Sequence, residues 1–243
     1  MSTDQKQALS AHLKAIRRMV IISVAAVAVL FVLFFYLLCG PLVDFVLAPV
    51  RARGIEVITT SVSEALMMQF KVCLIAAVIA GMPVIIWQIW VFVSPALYPQ
   101  EKRLFATLFF VALLLFVGGV VFCYCLVFPM AIDLFWSAAD GVASTLWSVK
   151  EYFNFVLSFV LPFGLMFELP VVVYMLARRG LVTYQKLAHS RKYVILVIAI
   201  IAAILTPPDA VSQCMLAIPM ILLYEVAAQL ARLVKPKKPA EAQ

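Results

Sequence analysis

The chain has 243 residues, of which 66% are hydrophobic and only 13% charged, and its mean hydropathy is +1.10. Those values exclude a soluble globular domain and place the chain among integral membrane proteins. The net charge of +7 would suit a nucleic-acid binder, but the cations lie between apolar runs, where they report topology, and no nucleic-acid partner is expected.

Residues 8–18 put Leu9, Leu13 and Ile16 on one helical face and Lys14, Arg17 and Arg18 largely on the other, the pattern of a short interfacial helix. A first span is expected over 19–39, too long for a signal-peptide core, and Gly40-Pro41 should end it. The connection that follows carries Asp44, Pro49, Arg51, Arg53, Gly54 and Glu56, and its alternation from Ile55 to Thr60 suggests an extended piece. A second span, 66–92, has a kink signal at Gly81 and Pro83 and anchors at Trp87 and Trp90; Lys71 near its start can snorkel. After a polar turn, the third span covers 104–132, with Gly118-Gly119 for close helix approach and Pro129 near its end. A second long connection holds Asp133, Asp140, Gly141, Trp136 and Trp147.

The fourth span, 153–176, contains one carboxylate, Glu168, between Pro162 and Pro170. The nearest cations on its far side, Arg178 and Arg179, are about 15 Å of helix away, so the acid lies near mid-depth. An ionisable group there is costly, so it should face a bundle interior or a wet cavity; the plainer role is a neutral hydrogen-bonder joining helices. The fifth span, 193–205, amounts to about 20 Å of helix against about 30 Å of hydrocarbon and stops at Thr206-Pro207-Pro208-Asp209. The sixth, 211–230, is thinned by Gln213, Glu225 and Gln229. The pair either thins the bilayer or forms a re-entrant hairpin.

The expected fold is therefore an all-α membrane protein of six transmembrane helices, several proline-kinked, forming a single polytopic domain over 1–243. Charges alternate along it. Lys6, Lys14, Arg17 and Arg18, then Lys102 and Arg103, then Arg178 to Lys192, then the tail from Arg232 are basic ends; the connections holding Asp44, Asp133 and Asp209 are not. This puts both termini in the cytoplasm. Cys39, Cys73, Cys123, Cys125 and Cys214 fall in or at the ends of apolar runs and read as small buried residues. With only His12 and His189 besides, no metal or cofactor is expected.

Three stretches, taken together, resemble the TatC family, the receptor subunit of the twin-arginine protein translocase. They are Phe92-Val-Ser-Pro95-Ala-Leu97-Tyr98-Pro-Gln-Glu101-Lys-Arg103, Phe167-Glu168-Leu-Pro170, and Leu205-Thr206-Pro207-Pro208-Asp209 with Ser212-Gln213. Leu47-Ala48-Pro49 and Ile218-Pro219-Met220 with Glu225 extend the resemblance over nearly the whole chain. It implies a receptor in the cytoplasmic (inner) membrane that binds twin-arginine signal peptides of folded cargo at the cytoplasmic face. TatB assists it, TatA is recruited, the receptor self-associates, and the proton-motive force drives export. The residues implied for signal binding are Glu101, Phe92, Pro95, Leu97, Tyr98 and Arg17; those for partner contact in the bilayer are Glu168, Thr206 and Gln213; Pro49 and Asp209 belong to the outer loops. The chemistry agrees, because paired guanidiniums are best read by a carboxylate and Glu101 is the only acid in the cytoplasmic turns between spans. One departure stands out: the family form His-Leu-x-Glu-Leu-Arg-x-Arg reads His12-Leu13-Lys14-Ala15-Ile16-Arg17-Arg18 here, so Ala15 replaces an acid.

Six helices in a ring enclose only about 10 Å, less than a small folded domain needs, so partners must build any passage. A proton-coupled small-solute permease using Glu168 is the alternative, without a clear repeat of spans to support it. No Gly-x-Ser-x-Gly, His-Glu-x-x-His or paired carboxylates point to an enzyme.

Overall fold

The computed structural model describes residues 3–93, 102–139, 146–206 and 209–234, with side chains over 13–92, 106–137, 146–206 and 209–234. Among the described residues, six helical stretches are long and apolar enough to cross a membrane: Leu13–Leu37, Glu64–Phe92, Ala106–Ser137, Val149–Arg178, Tyr184–Leu205 and Ala210–Leu233. The chain is a multi-pass membrane protein. Packing divides it into two compact units, Met1–Leu47 with Ser61–Leu113 and Ala48–Thr60 with Leu114–Gln243.

In the first unit, α1 runs unbroken over Thr3–Leu37. A separate interfacial helix is absent because nothing between those residues breaks a helix: the stretch holds neither glycine nor proline. The chain turns at Leu38 and re-enters a helix at once as α2, Cys39–Arg51, straight through the expected stop at Gly40-Pro41. Pro41 is tolerated because it falls in the first turn, where backbone N–H groups have no intrahelical partner. α3, Glu64–Val93, opens on a capping box, with the Ser61 N–H donating to Glu64 Oε2 at 3.1 Å. It packs on α1, and a Cβ placed on Gly81 would lie 3.2 Å from Val27 Cγ2. Phe70 of α3 stacks against Phe35 and Phe31 of α1 at centroid distances of 4.7 and 5.8 Å.

In the second unit, α2 ends in a Schellman motif. Gly54 sits at φ 69°, its N–H donates to Arg51 O, and the Ile55 N–H reaches back to Val50 O. Val50 and Ile55 are buried together by that turn. The extended piece expected after it is the two-residue strand β1, Val57–Ile58, paired in parallel with β2, Trp147–Ser148.

α4, Lys102–Phe122, widens into a π turn at Cys123–Val127 before α5, Phe128–Ala139. Pro129 explains the widening. It has no N–H to offer Cys125 O, and the preceding Phe128 N–H bonds instead to Cys123 O. α6, Val149–Phe167, buries Tyr152, Phe153, Phe155, Val156, Phe159, Val160, Phe163 and Gly164, one stripe at helical spacing. α7 is Leu169–Arg178, α8 is Tyr184–Leu205 and α9 is Ala210–Leu233, with α9 lying against α6, α7 and α8.

α8 and α9 are longer than their apolar runs. The basic stretch 184–192 is helical, which gives α8 22 residues, about 33 Å, and α9 has 24. Charged Lys and Arg are good helix formers, so polarity ended the hydrocarbon run without ending the helix. α3, α6 and α9 continue through Pro83, Pro162 and Pro219, and the fourth span breaks only at Pro170, between α6 and α7.

Close approach of α4 to α6 rests on two glycines. A Cβ on Gly119 would stand 2.8 Å from the Phe163 carbonyl oxygen, and one on Gly164 would stand 2.6 Å from Phe116 Cε2. Gly119→Ala should therefore push the helices apart and cost about 1–3 kcal/mol, read as a lowered melting temperature of the purified chain in detergent. Gly118→Ala, whose Cβ would meet nothing within 4 Å, is the matched control and should leave the melting temperature unchanged.

Candidate functional site

Pro170 creates the setting of Glu168. With no N–H at Pro170 the ladder of α6 cannot continue, and the proline opens α7 at a position where none is needed. Glu168 is the hinge residue. Its N–H donates to Leu165 O at 3.1 Å and its carbonyl accepts the N–H groups of Val171 and Val172. The backbone is thus satisfied, while the side-chain Oε1 is enclosed without a hydrogen-bond partner among the described residues. Such an oxygen inside a span is an open valence for a donor. Around the break, Phe122 lies 5.8 Å from Phe163 and 5.6 Å from Phe167, and α7 packs through Val173 and Ala177 onto Ala227 and Ala231 of α9.

The α8–α9 hairpin holds the other two intramembrane polar residues. Thr206 is buried and its hydroxyl donates to Ala202 O at 2.8 Å; the Gln213 amide donates to Ala199 O at 3.0 Å. Both bonds close inside the hairpin. Asp209 caps α9, its Oδ1 accepting the Ser212 N–H at 2.6 Å. Asp209 also lines a cavity of about 360 Å³ with Phe135, Trp147, Ser148, Glu151, Tyr152 and Phe155.

At the other end of that hairpin, Arg191 Nη2 pairs with Glu225 Oε1 at 2.5 Å, and Gln229 donates to the same oxygen at 3.1 Å. The guanidiniums of Arg191 and Arg232 lie 6.0 and 5.8 Å from the Tyr184 ring centroid. The Tyr224 hydroxyl donates to Leu187 O at 2.8 Å. In the sequence Glu225 reads as a polar interruption of the sixth span and as part of the stretch that resembles the family, with no partner assigned to it. Its partner sits 34 residues earlier in the basic stretch, and opposite charges at the open end of a helical hairpin, near the start of one helix and the end of the next, were the signal available.

A second pair ties the connections. Arg53 Nε donates to Asp133 Oδ1 at 2.6 Å and Nη1 to the Pro49 carbonyl at 2.9 Å. That bond to Asp133 is the main reason the Arg53 guanidinium holds its proton more firmly than a free arginine. Pro49 is thus held from its backbone side.

Of the residues implied for signal binding, Glu101, Pro95, Leu97 and Tyr98 lie outside the described residues. Phe92 is half-buried in the last turn of α3 and Arg17 is exposed on α1. Among the described residues, no group of His, Cys, Asp and Glu is placed to hold a metal ion.

The family profile described as "Sec-independent protein translocase protein (TatC)" matches residues 11–219. The chain belongs to the TatC family. The Carboxydothermus hydrogenoformans TatC is 39% identical over 236 residues, 97% of each chain, and that of Aquifex aeolicus is 36% identical, covering 95% of this chain and 97% of its own. A crystal structure described as the twin-arginine translocase receptor TatC superposes with a TM-score of 0.86 at 37% identity, covering 91% of this chain and 98% of that one. The chain is accordingly a TatC component of Sec-independent protein translocation. In this TatC, Glu168, Thr206 and Gln213 sit in one compact unit with the α8–α9 hairpin, and only Glu168 has an enclosed oxygen left unpaired among these three.

The Arg53–Asp133 pair predicts a small, specific effect. The Asp133 side chain is 64% exposed, so Asp133→Ala should lower the melting temperature by no more than about 2–4 °C. The swap Arg53→Asp with Asp133→Arg should recover part of that loss, measured by thermal unfolding in detergent.

Proposed function

We infer that this TatC receives twin-arginine signal peptides at the cytoplasmic face through Glu101 and presents Glu168 to membrane helices of TatA- and TatB-type partners. Three things support the reading. The motif around Glu101 and the sequence around Glu168 both resemble the family's, the chain matches the family along most of its length, and the Glu168 carboxyl oxygen is enclosed yet unpaired at a helix break. The last observation carries most weight. An unsatisfied polar atom in a span costs free energy until a donor reaches it, and a single-span partner with a polar side chain at that depth would supply one.

With Ala15 in place of the family's acid, Glu101 takes the larger share of reading the arginine pair, backed by backbone carbonyls or a carboxylate from a partner. Arg17, Phe92, Pro95, Leu97 and Tyr98 shape that surface. Pro49 and Asp209 belong to the loops on the opposite side. Both termini lie in the cytoplasm, cargo crosses through a passage built with partners and copies of the receptor, and the proton-motive force drives the transfer.

Glu101→Ala should abolish photo-crosslinking of a twin-arginine signal peptide to the chain in membranes, and Glu101→Asp should retain part of it. Unchanged crosslinking and export in Glu101→Ala would rule out the assignment. At Glu168, replacement by Gln keeps a hydrogen-bonding group of the same size and replacement by Leu removes it. Glu168→Leu should lose most co-purification of the partner helices while still folding, since the enclosed oxygen makes no bond among the described residues; Glu168→Gln should keep a larger share.

A further inference from the structure

The cavity of about 360 Å³ lies wholly within the second unit, against α5, the first turn of α6 and the N-cap of α9. The apolar stretches that these helices carry end at Ser137 and begin at Val149 and Ala210, so the cavity stands at the membrane boundary and not at mid-depth. Two aromatic pairs line it: Phe135 with Phe155, at a centroid distance of 5.7 Å, and Trp147 with Tyr152, at 6.2 Å. Its charged lining is two carboxylates, Glu151 and Asp209. Asp209 gives Oδ1 to the Ser212 N–H, and an ionised carboxylate has a second oxygen to offer. Lys150 precedes Glu151 on α6, but side chains one position apart on a helix do not face each other. Arg53, on the connection that carries β1, is committed to Asp133 and the Pro49 carbonyl.

We propose that this cavity binds the primary ammonium of an aminophospholipid headgroup, held by N–H bonds to Glu151 and Asp209 between the aromatic pairs. Aromatic rings beside carboxylates are the chemistry that recognises an organic cation. An anion is repelled by the two acids, and an apolar guest would leave them desolvated. Metal binding has no support, because among the described residues no group of three or more His, Cys, Asp and Glu is placed to hold an ion. A primary ammonium brings three donors, enough to bridge both carboxylates, whereas a choline head has no N–H. The depth selects a lipid as the source, since headgroups lie where the apolar stretches end. The volume is at the small end for ligand pockets, so it takes the head and leaves the acyl chains in the bilayer. Once bound, the ammonium ties the start of α6 to the start of α9.

The test places the full chain in phosphatidylcholine vesicles with or without phosphatidylethanolamine and adds a water-soluble carbodiimide, which joins a carboxylate to a primary amine in contact with it. Peptide mass spectrometry should find the ethanolamine adduct on Glu151 or Asp209 about tenfold more often than on Glu56, an exposed carboxylate of the connection that carries β1. Native mass spectrometry from detergent should show phosphatidylethanolamine retained over phosphatidylcholine by a similar factor. Glu151→Gln with Asp209→Asn should abolish that preference, and asparagine caps a helix as well as aspartate does. Glu151→Gln alone leaves the cap untouched and should lower the preference several-fold at an unchanged melting temperature. Adducts spread evenly over the exposed carboxylates, equal retention of the two lipids, or a preference that survives both substitutions would overturn the proposal. With glycerophosphoethanolamine added to phosphatidylcholine vesicles, an adduct at Glu151 as frequent as that with the lipid would overturn the lipid source. A partner's lysine joined to Glu151 in native membranes, in place of the lipid, would do the same.

Discussion

Hydrocarbon offers a backbone no hydrogen bonds, and this chain is shaped by having to find them all internally. Long helices meet that demand wherever the sequence lacks proline. The departures occur where proline removes a donor, and each is repaired within a turn. Ahead of Pro129 the ladder widens to a π turn, so that the Phe128 N–H reaches Cys123. At Pro170 the span ends one helix and starts another, with the Glu168 carbonyl taking two N–H groups at the joint. Glu168 stands at that repair.

Side chains follow a second constraint. Lipid is no less apolar than leucine, so helices associate through close packing and polar contacts. The second unit uses both. Gly119 and Gly164 bring α4 and α6 together, aromatic rings fill the stripe of α6, and alanines join α7 to α9. Polar groups of the α8–α9 hairpin bond to carbonyls within it, and Arg191 with Glu225 binds its far end. The enclosed Oε1 of Glu168 has no partner among the described residues, and neither has the Ser212 Oγ in the hairpin.

Much of this was legible in the sequence. Six apolar runs, the polar breaks between them and the single acid of the fourth span come directly from residue type, as does the extended piece at Val57–Ile58. Helix continuity was less legible. Hydropathy reports where lipid ends, and the basic residues 184–192 prolong α8 without adding to the apolar run. Gly40-Pro41 looked like a stop because composition does not reveal that Pro41 occupies a first turn. The pairs Arg53–Asp133, Arg191–Glu225 and β1–β2 were hidden because each joins positions far apart along the chain. The motif around Glu101, proposed to bind the signal, was read from residue order, and that stretch lies outside the described residues.

The strand pairing bears on how the protein is made. Val57 and Ile58 leave the ribosome long before Trp147 and Ser148, and Arg53 precedes its carboxylate partner by 80 positions. During synthesis the first connection must therefore wait, with its edge unclaimed, until the third helical stretch has been inserted. A nascent chain halted in that interval would display a loose strand to chaperones and proteases, and fastening it marks the completed half from the unfinished one.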